Sequence, residues 1–282
     1  MTMAFTGARL RIRRLPVWSA GLTMVFLLWS VLPVAWVLKM SVSSDSELLS
    51  PTLLLHDATW GHYATVLTDP TFRSGLVNSL LIAGTTTLLC LTLGTAAAYP
   101  LARLRFRYRT PAMTGILSLA FFPAVAIIAP LFREFKSLGL LGTYQAVIAV
   151  DTAFALPLTI WIMAAFFREL PAELEEAARI DGAGVTQTFL RIIMPLALPG
   201  IVTAAILTFI AAWNEFLFAN TFLFDTSTWP ATVIIPNYAT TRSTDYGAQA
   251  AATLMATVPL AAAVLLFQRR LVEGLTAGAV KG

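Results

Sequence analysis

The sequence predicts an all-α integral membrane protein: a bundle of six transmembrane helices with both termini cytoplasmic. Three observations predict it. Hydrophobic residues make up 57% of the chain and charged residues only 12%, with a mean hydropathy of +0.76, whereas about a quarter of the residues in an ordinary soluble domain are charged. Six stretches reach the roughly 20 mostly apolar residues that a helix needs to cross a hydrocarbon core about 30 Å thick. The basic residues then orient the bundle, because cytoplasmic segments collect Lys and Arg.

The first span is expected at 17–38, after a basic N-terminal segment, 1–16. Its start resembles a signal peptide, but the apolar run is too long for one and no small-x-small cleavage site follows, so it is expected to remain as a helix. Residues 39–72 contain Asp45, Glu47, Asp57, Asp69, Pro51 and Pro70 and read as an extracytoplasmic loop. His56 and His62 fall among these turn-forming residues and read as loop residues. Five further spans follow at about 75–98, 112–132, 144–167, 198–222 and 248–267, within one bundle at 73–267, and 268–282 is a cytoplasmic tail.

An inside N-terminus places Arg9, Arg11, Arg13, Arg14, Arg103, Arg105, Arg107, Arg109, Arg168, Arg179, Arg191, Arg269, Arg270 and Lys281 on the cytoplasmic side. Lys39, Arg73, Arg133, Lys136 and Arg242 lie outside, a ratio of fourteen to five. The formal charge of +4 therefore reflects topology and does not point to nucleic acid, since the basic residues flank apolar segments without interleaved stacking aromatics. Cys90, the single cysteine, excludes an internal disulfide and a multi-cysteine metal cluster. None of Lys39, Lys136 and Lys281 follows a glycine, so the chain has no Gly-rich phosphate loop and is not expected to be an enzyme that hydrolyses ATP.

The segment RELPAELEEAARIDGAG, 168–184, is charged where its surroundings are apolar. Pro171 suits the first turn of a helix, and Glu173, Glu175 and Glu176 favour the positive end of the helix dipole. Glu175 and Arg179 stand at i and i+4 in the favourable order. Gly182 and Gly184 then lie where the helix should stop and the chain reverse. A second helical segment runs into Pro195, which should end or kink it. Ala177 and Ala178 keep the first helix slim, and its carboxylates suit an arginine fork, so the turn reads as a knob for a cytoplasmic socket. An interfacial helix lying on lipid headgroups is the alternative, but such helices are normally basic on the polar face.

Glu176-Ala177-Ala178, three residues, Gly182, nine residues and Ile192-Ile193-Met194-Pro195 resemble the EAA signature of bacterial ATP-binding-cassette (ABC) importer permeases, with Met194 where leucine is usual. AAWNEFLFA, 211–219, and the tail FQRRLVEGLTAGAVKG, 267–282, are similar to the second permease subunit of carbohydrate importers of the maltose/trehalose type. The resemblance covers nearly the whole chain and implies a type I importer permease domain over 73–267. It implies a coupling helix, involving Glu176, Ala177, Ala178, Asp181 and Gly182, seated in a cytoplasmic ATPase, with Glu176 paired to an arginine there. It implies that the tail, through Thr276, Gly278, Lys281 and Gly282, also reaches the ATPase. The partners implied are a second, different permease, an ABC ATPase dimer, an extracytoplasmic sugar-binding lipoprotein or periplasmic protein, and membrane lipid. No cofactor is expected on this chain, ATP and Mg belonging to the ATPase. The expected cargo is a disaccharide such as trehalose or maltose, and the expected location is the bacterial inner membrane.

Ionisable residues inside membrane helices mark either a pathway or a polar bundle interior. Asp151 and Glu215 qualify, and with Trp213 and Asn214 they are the candidate substrate-path residues, because sugar hydroxyls need acceptors and sugar faces stack on aromatic rings. Bridging between helices, or pairing with the other permease, is the structural alternative. Pro123, Pro130 and Pro157 are expected to kink their helices, and Asn78 to hydrogen-bond between helices. A six-helix proton-coupled secondary transporter is the competing function; the sequence shows no inverted repeat to support it. A membrane enzyme lacks an acid–base or metal constellation.

Overall fold

A computed structural model describes residues 17–48, 54–104, 107–239 and 245–277. Helix α1 (Val17–Val42) is apolar over almost its whole length and leaves Phe26, Trp29 and their neighbours exposed, as a lipid-facing helix does. It is followed by a short helix, α2 (Gly61–Thr68), and then by the longest element, α3 (Pro70–Arg103). Asp69 caps α3, accepting from the Thr71 N–H at 2.8 Å, and Pro70 occupies the first position, where a missing N–H costs nothing. Tyr238 donates its O–H to the other Asp69 oxygen, and burial together with that carboxylate holds the phenol well above its usual range.

Among the described residues four helices are long and apolar enough to cross a membrane on their own: α1 over Gly21–Val42, α3, α6 (Tyr144–Glu169) and α13 (Tyr246–Ala277) over Tyr246–Gln268. Two bent pairs bring the count to six if each makes one span. The expected span at 112–132 is one of them: α4 (Arg109–Leu119) and α5 (Ala124–Ser137) meet at 85°. Pro123 stands at this break, where its ring disfavours a helical conformation in the residue before it. Pro130, by contrast, lies inside α5, and Pro157 inside α6.

The expected span at 198–222 is also divided. Its main part is α10 (Leu198–Trp213), and a shorter helix, α11 (Leu217–Phe222), restarts after a break at Asn214–Phe216. Glu215 causes the restart, because its carboxylate accepts from the N–H groups of Phe218 (2.7 Å) and Ala219 (3.0 Å), which are orphan donors at a helix start. Ahead of α10 lie α8 (Val185–Thr188), a π-turn at Phe189–Ile193 and α9 (Met194–Leu196), and this run meets α10 at 75°. Pro195 has no N–H to give to the preceding turn, and the wider turn accommodates its ring.

The core is built on α3, which packs along α6, with α10 against both. Gly94 permits the close approach: a Cβ there would sit 2.7 Å from Thr159 Cγ2. Phe167, Met163 and Ile193 fill one end of the bundle; Phe222, Val147 and Phe135 fill the other. Asn78 does bond between helices as expected, accepting from Tyr144 Oη at 2.9 Å and donating to the carbonyls of Ser227 and Trp229. Ser79 Oγ accepts from the Ala231 N–H at the start of α12 (Ala231–Ile234), so α3 holds the 227–231 segment at two points.

The expected loop at 39–72 contains more structure than its turn residues suggest. His56 is exposed and contacts Glu47 at 2.7 Å, as a loop residue can, but His62 lies on α2 and is buried. Its Nε2 is 3.0 Å from the Ser43 carbonyl and its Nδ1 3.1 Å from Asp245, so α2 joins the end of α1 to the start of α13. Gly247 makes room for the ring, since a Cβ there would be 2.2 Å from Nε2.

Candidate functional site

The charged turn folds as a helix, a reversal and a second helix. Helix α7 (Glu173–Ile180) begins two residues after Pro171 and carries Glu173, Glu175 and Glu176 in its first turn. It ends in a Schellman arrangement: the Ala183 N–H bonds to the Ala178 carbonyl (2.8 Å) and the Gly182 N–H to the Arg179 carbonyl (3.1 Å). Gly182 has φ +78°, the left-handed conformation that the expected reversal requires, and Asp181 stands just before it as the cap residue.

Glu173, Glu176, Ala177 and Ile180 are all exposed. Their spacing of i, i+3, i+4 and i+7 puts them on one helix face. Ile180 is 86% exposed and Val185, across the turn, 62%. An acidic stripe ending in two bare apolar side chains is a surface shaped to be covered. Ala178 faces the opposite way and is buried against the bundle.

Glu175 takes a different partner from the one its spacing suggested. Instead of pairing with Arg179, it accepts from Arg103 Nε at 3.0 Å and from Tyr99 Oη at 3.2 Å, and both members of the ion pair are nearly buried. Arg103 also donates through Nη2 to the Pro171 carbonyl at 3.1 Å. Tyr99 is wedged between Phe167 of α6 and Phe189 of the π-turn, with ring centroids 5.9 and 4.9 Å away. In the sequence Arg103 reads only as a topology charge. The overlooked signal was the i, i+4 register of Tyr99 and Arg103 at the end of α3.

Inside the bundle, Asp151 and Glu215 face a shared cavity of about 450 Å³, lined also by Phe154, Thr208, Leu217 and Phe218. Neither Asp151 oxygen has a hydrogen-bond partner among the described residues, although the side chain is buried. Glu215, in contrast, is occupied in starting α11. Trp213 stacks on Phe209 at 5.5 Å and packs into the core beside Ala83. Asn214 donates to its own helix at the Ile210 carbonyl and opens, with Trp213, on a different cavity between α10 and α13. Trp213 also lines a small cavity that it shares with Asp151 and Glu215, whereas Asn214 lies on the cavity between α10 and α13. Thr276 lies at the end of α13, while Gly278, Lys281 and Gly282 lie outside the described residues.

The arrangement is a bundle of apolar helices that presents an uncovered helix–turn–helix. The profile of the family described as "Binding-protein-dependent transport system inner membrane component" matches residues 90–276, and the chain belongs to that family. It is a permease component of an ABC importer in the bacterial inner membrane. The trehalose transport system permease protein SugB of Mycobacterium tuberculosis is 39% identical over 274 residues, covering 96% of this chain and 99% of the relative. The trehalose/maltose transport system permease protein MalG of Thermococcus litoralis is 38% identical, covering 89% and 91%. Among solved structures, a bacterial ABC transporter that imports the acidic polysaccharide alginate matches with a TM-score of 0.76 and 25% identity, covering 90% of this chain and 95% of the matched one. Family membership displaces the self-contained proton-coupled transporter.

Proposed function

We propose that this chain forms half of the translocation path of an ATP-driven importer for a disaccharide of the trehalose or maltose kind, and that α7 couples it to a cytoplasmic ATPase. The single observation that supports the coupling reading best is the exposed stripe Glu173, Glu176, Ala177 and Ile180 beside a positive-φ Gly182: an acidic knob with nothing over it among the described residues. In this reading Glu176 meets an arginine of the ATPase, Ala177 permits close backbone approach, and Asp181 and Gly182 fix the turn. In the same reading the tail contacts that partner too, through Thr276, Gly278, Lys281 and Gly282. ATP and Mg are held by the ATPase, and hydrolysis occurs there. The other half of the path is a different permease, and cargo arrives on an extracytoplasmic sugar-binding protein.

The cargo class is supported by the names of the two relatives and by the Asp151 cavity, where an unpartnered carboxylate stands near aromatic rings. In this reading Asp151 accepts from sugar hydroxyls. Glu215 shapes the same wall by fixing the break between α10 and α11. The test is to purify the complex through an affinity tag on this chain and to measure its ATPase activity with binding protein and a panel of sugars. Co-purification of an ATPase and a second permease, with stimulation by a disaccharide, is the expected result. A chain that purifies without an ATPase overturns the coupling reading; stimulation by a non-sugar solute alone overturns the cargo.

A further inference from the structure

We infer that Arg103 and Glu175 form a latch that makes the docking helix α7 and the core helix α3 move as one body, so that Arg103 is a positioning residue for coupling. The inference rests on the importer reading above, but uses residues outside the docking stripe.

Helix α7 has eight residues, too few to be stable alone, and only Ala178 of it is buried. What fixes its position on the bundle is therefore a small set of contacts. Arg103 provides the main one, gripping the corner at two points: the Pro171 carbonyl just ahead of the helix and the Glu175 carboxylate in its first turn. The planar guanidinium fork suits two such acceptors at once, and a lysine could not reproduce it. Tyr99, one turn back on α3, adds a third bond to the same Glu175 oxygen. The side chains of Arg103 and Glu175 are 10% and 13% exposed, so water competes weakly for them.

The other end of α3 is tied just as firmly. Asn78 and Ser79 hold the segment at Ser227, Trp229 and Ala231. From Ser79 to Arg103 the helix rises about 36 Å, at 1.5 Å per residue. A displacement of α7 thus enters α3 at one end and leaves it at the opposite end of the bundle, along the helix that also carries the packing against α6 and α10. Glu176 faces outward on α7 and Glu175 inward, so adjacent residues divide the work of contact and transmission.

The test uses the complete importer in proteoliposomes and reads sugar transported per ATP hydrolysed. Arg103→Ala and Glu175→Gln are each expected to lower that ratio about ten-fold while the ATPase stays bound and hydrolyses ATP. Arg103→Lys, which keeps the charge and is the safer variant for insertion, is expected to fall between them and the parent. Because Arg103→Ala already removes the Glu175 ion pair together with the Pro171 bond, the double variant Arg103→Ala/Glu175→Gln should be no worse than Arg103→Ala alone. A parental ratio in Arg103→Ala and Arg103→Lys, or losses that multiply in the double variant, would overturn the latch. A parent complex with no ATP-driven uptake would instead overturn the importer reading, which keeps the two failures apart.

Discussion

Helices α2 and α7 have eight residues each and lie outside the long spans, yet their surroundings are opposite. Helix α2 inserts His62 and Val66 between α1, α3 and α13, so its partners are within the chain. Helix α7 is held, among the described residues, chiefly by Ala178 and the Glu175 latch, and turns an acidic stripe and a bare Ile180 outward. A short helix cannot stand by itself. The comparison therefore teaches that α2 is a strut of the permease, whereas α7, in the function proposed above, is half of an interface whose other half is the ATPase.

The largest expected effect comes from reversing charge on the outward face. If Glu176 enters a partly buried socket opposite an arginine, removing one partner of a fully buried pair costs about 3–5 kcal/mol, and a lysine adds repulsion. Glu176→Lys should therefore abolish uptake and release the ATPase during affinity purification, with Glu176→Ala less severe. Membrane insertion should be unaffected in both. Full ATPase retention in Glu176→Lys would show that the stripe meets nothing charged.

The strut supplies the next effect, and it should be of another kind. A Cβ at residue 247 would lie 2.2 to 2.5 Å from three atoms of the His62 ring. Gly247→Ala must displace that ring or α13, and overpacking of this type costs typically about 1–3 kcal/mol. The expected outcome is a lower melting temperature of the purified complex, with the ATPase still bound to whatever has folded. If Gly247→Ala shed the ATPase before losing thermal stability, the division into strut and interface would fail.

How much of this was legible in the sequence follows from where each partner lies. The reversal at Gly182 was readable because glycine after a charged helix is a local signal, and the restricted backbone decides it. The break at Pro123 was half readable: proline marks a kink, but the 85° angle depends on what α4 and α5 pack against. Buried His62 was misread because the Ser43, Asp245 and Gly247 that enclose it come from both ends of the chain. The same reason hid the Arg103 latch, since Glu175 lies 72 residues away and Arg179 offered a nearer partner. Trp213 and Asn214 join the path candidates by their adjacency to Glu215, but the helix break at Asn214–Phe216 sends Asn214 and Glu215 to different cavities.

A backbone variant sharpens the interface side with a smaller effect. Gly182 has open space around it, so a Cβ there meets no atom within 4 Å among the described residues and acts through φ. A non-glycine residue in the left-handed region costs about 1–2 kcal/mol, and a β-branched one resists it most. Gly182→Val should loosen the turn and reduce ATPase retention several-fold without changing insertion, while Gly182→Asn, which tolerates this region, should restore much of it. Equal losses for valine and asparagine would mean that the absence of a side chain, and not the backbone angle, is what the socket reads.

The smallest effect should come from Glu173, and it decides whether charge or position matters on the stripe. Glu173 shares the exposed face with Glu176 but stands one turn nearer the start of α7, beside the latched corner at Pro171. Its structural contribution is its interaction with the helix dipole, about 0.3–1 kcal/mol at an exposed site and less in salt. Two other carboxylates remain in the same turn. If the socket is built around Glu176 alone, Glu173→Ala leaves ATPase retention and uptake within experimental error of the parent. If the ATPase instead recognises a diffuse acidic patch, Glu173→Ala and Glu176→Ala should fall together, and both losses should shrink as ionic strength rises, because exposed charges are screened over about 8 Å at physiological salt. Retention measured for the two variants across a salt series separates a seated carboxylate from a field, and matched, salt-sensitive losses would replace the knob with a charged surface.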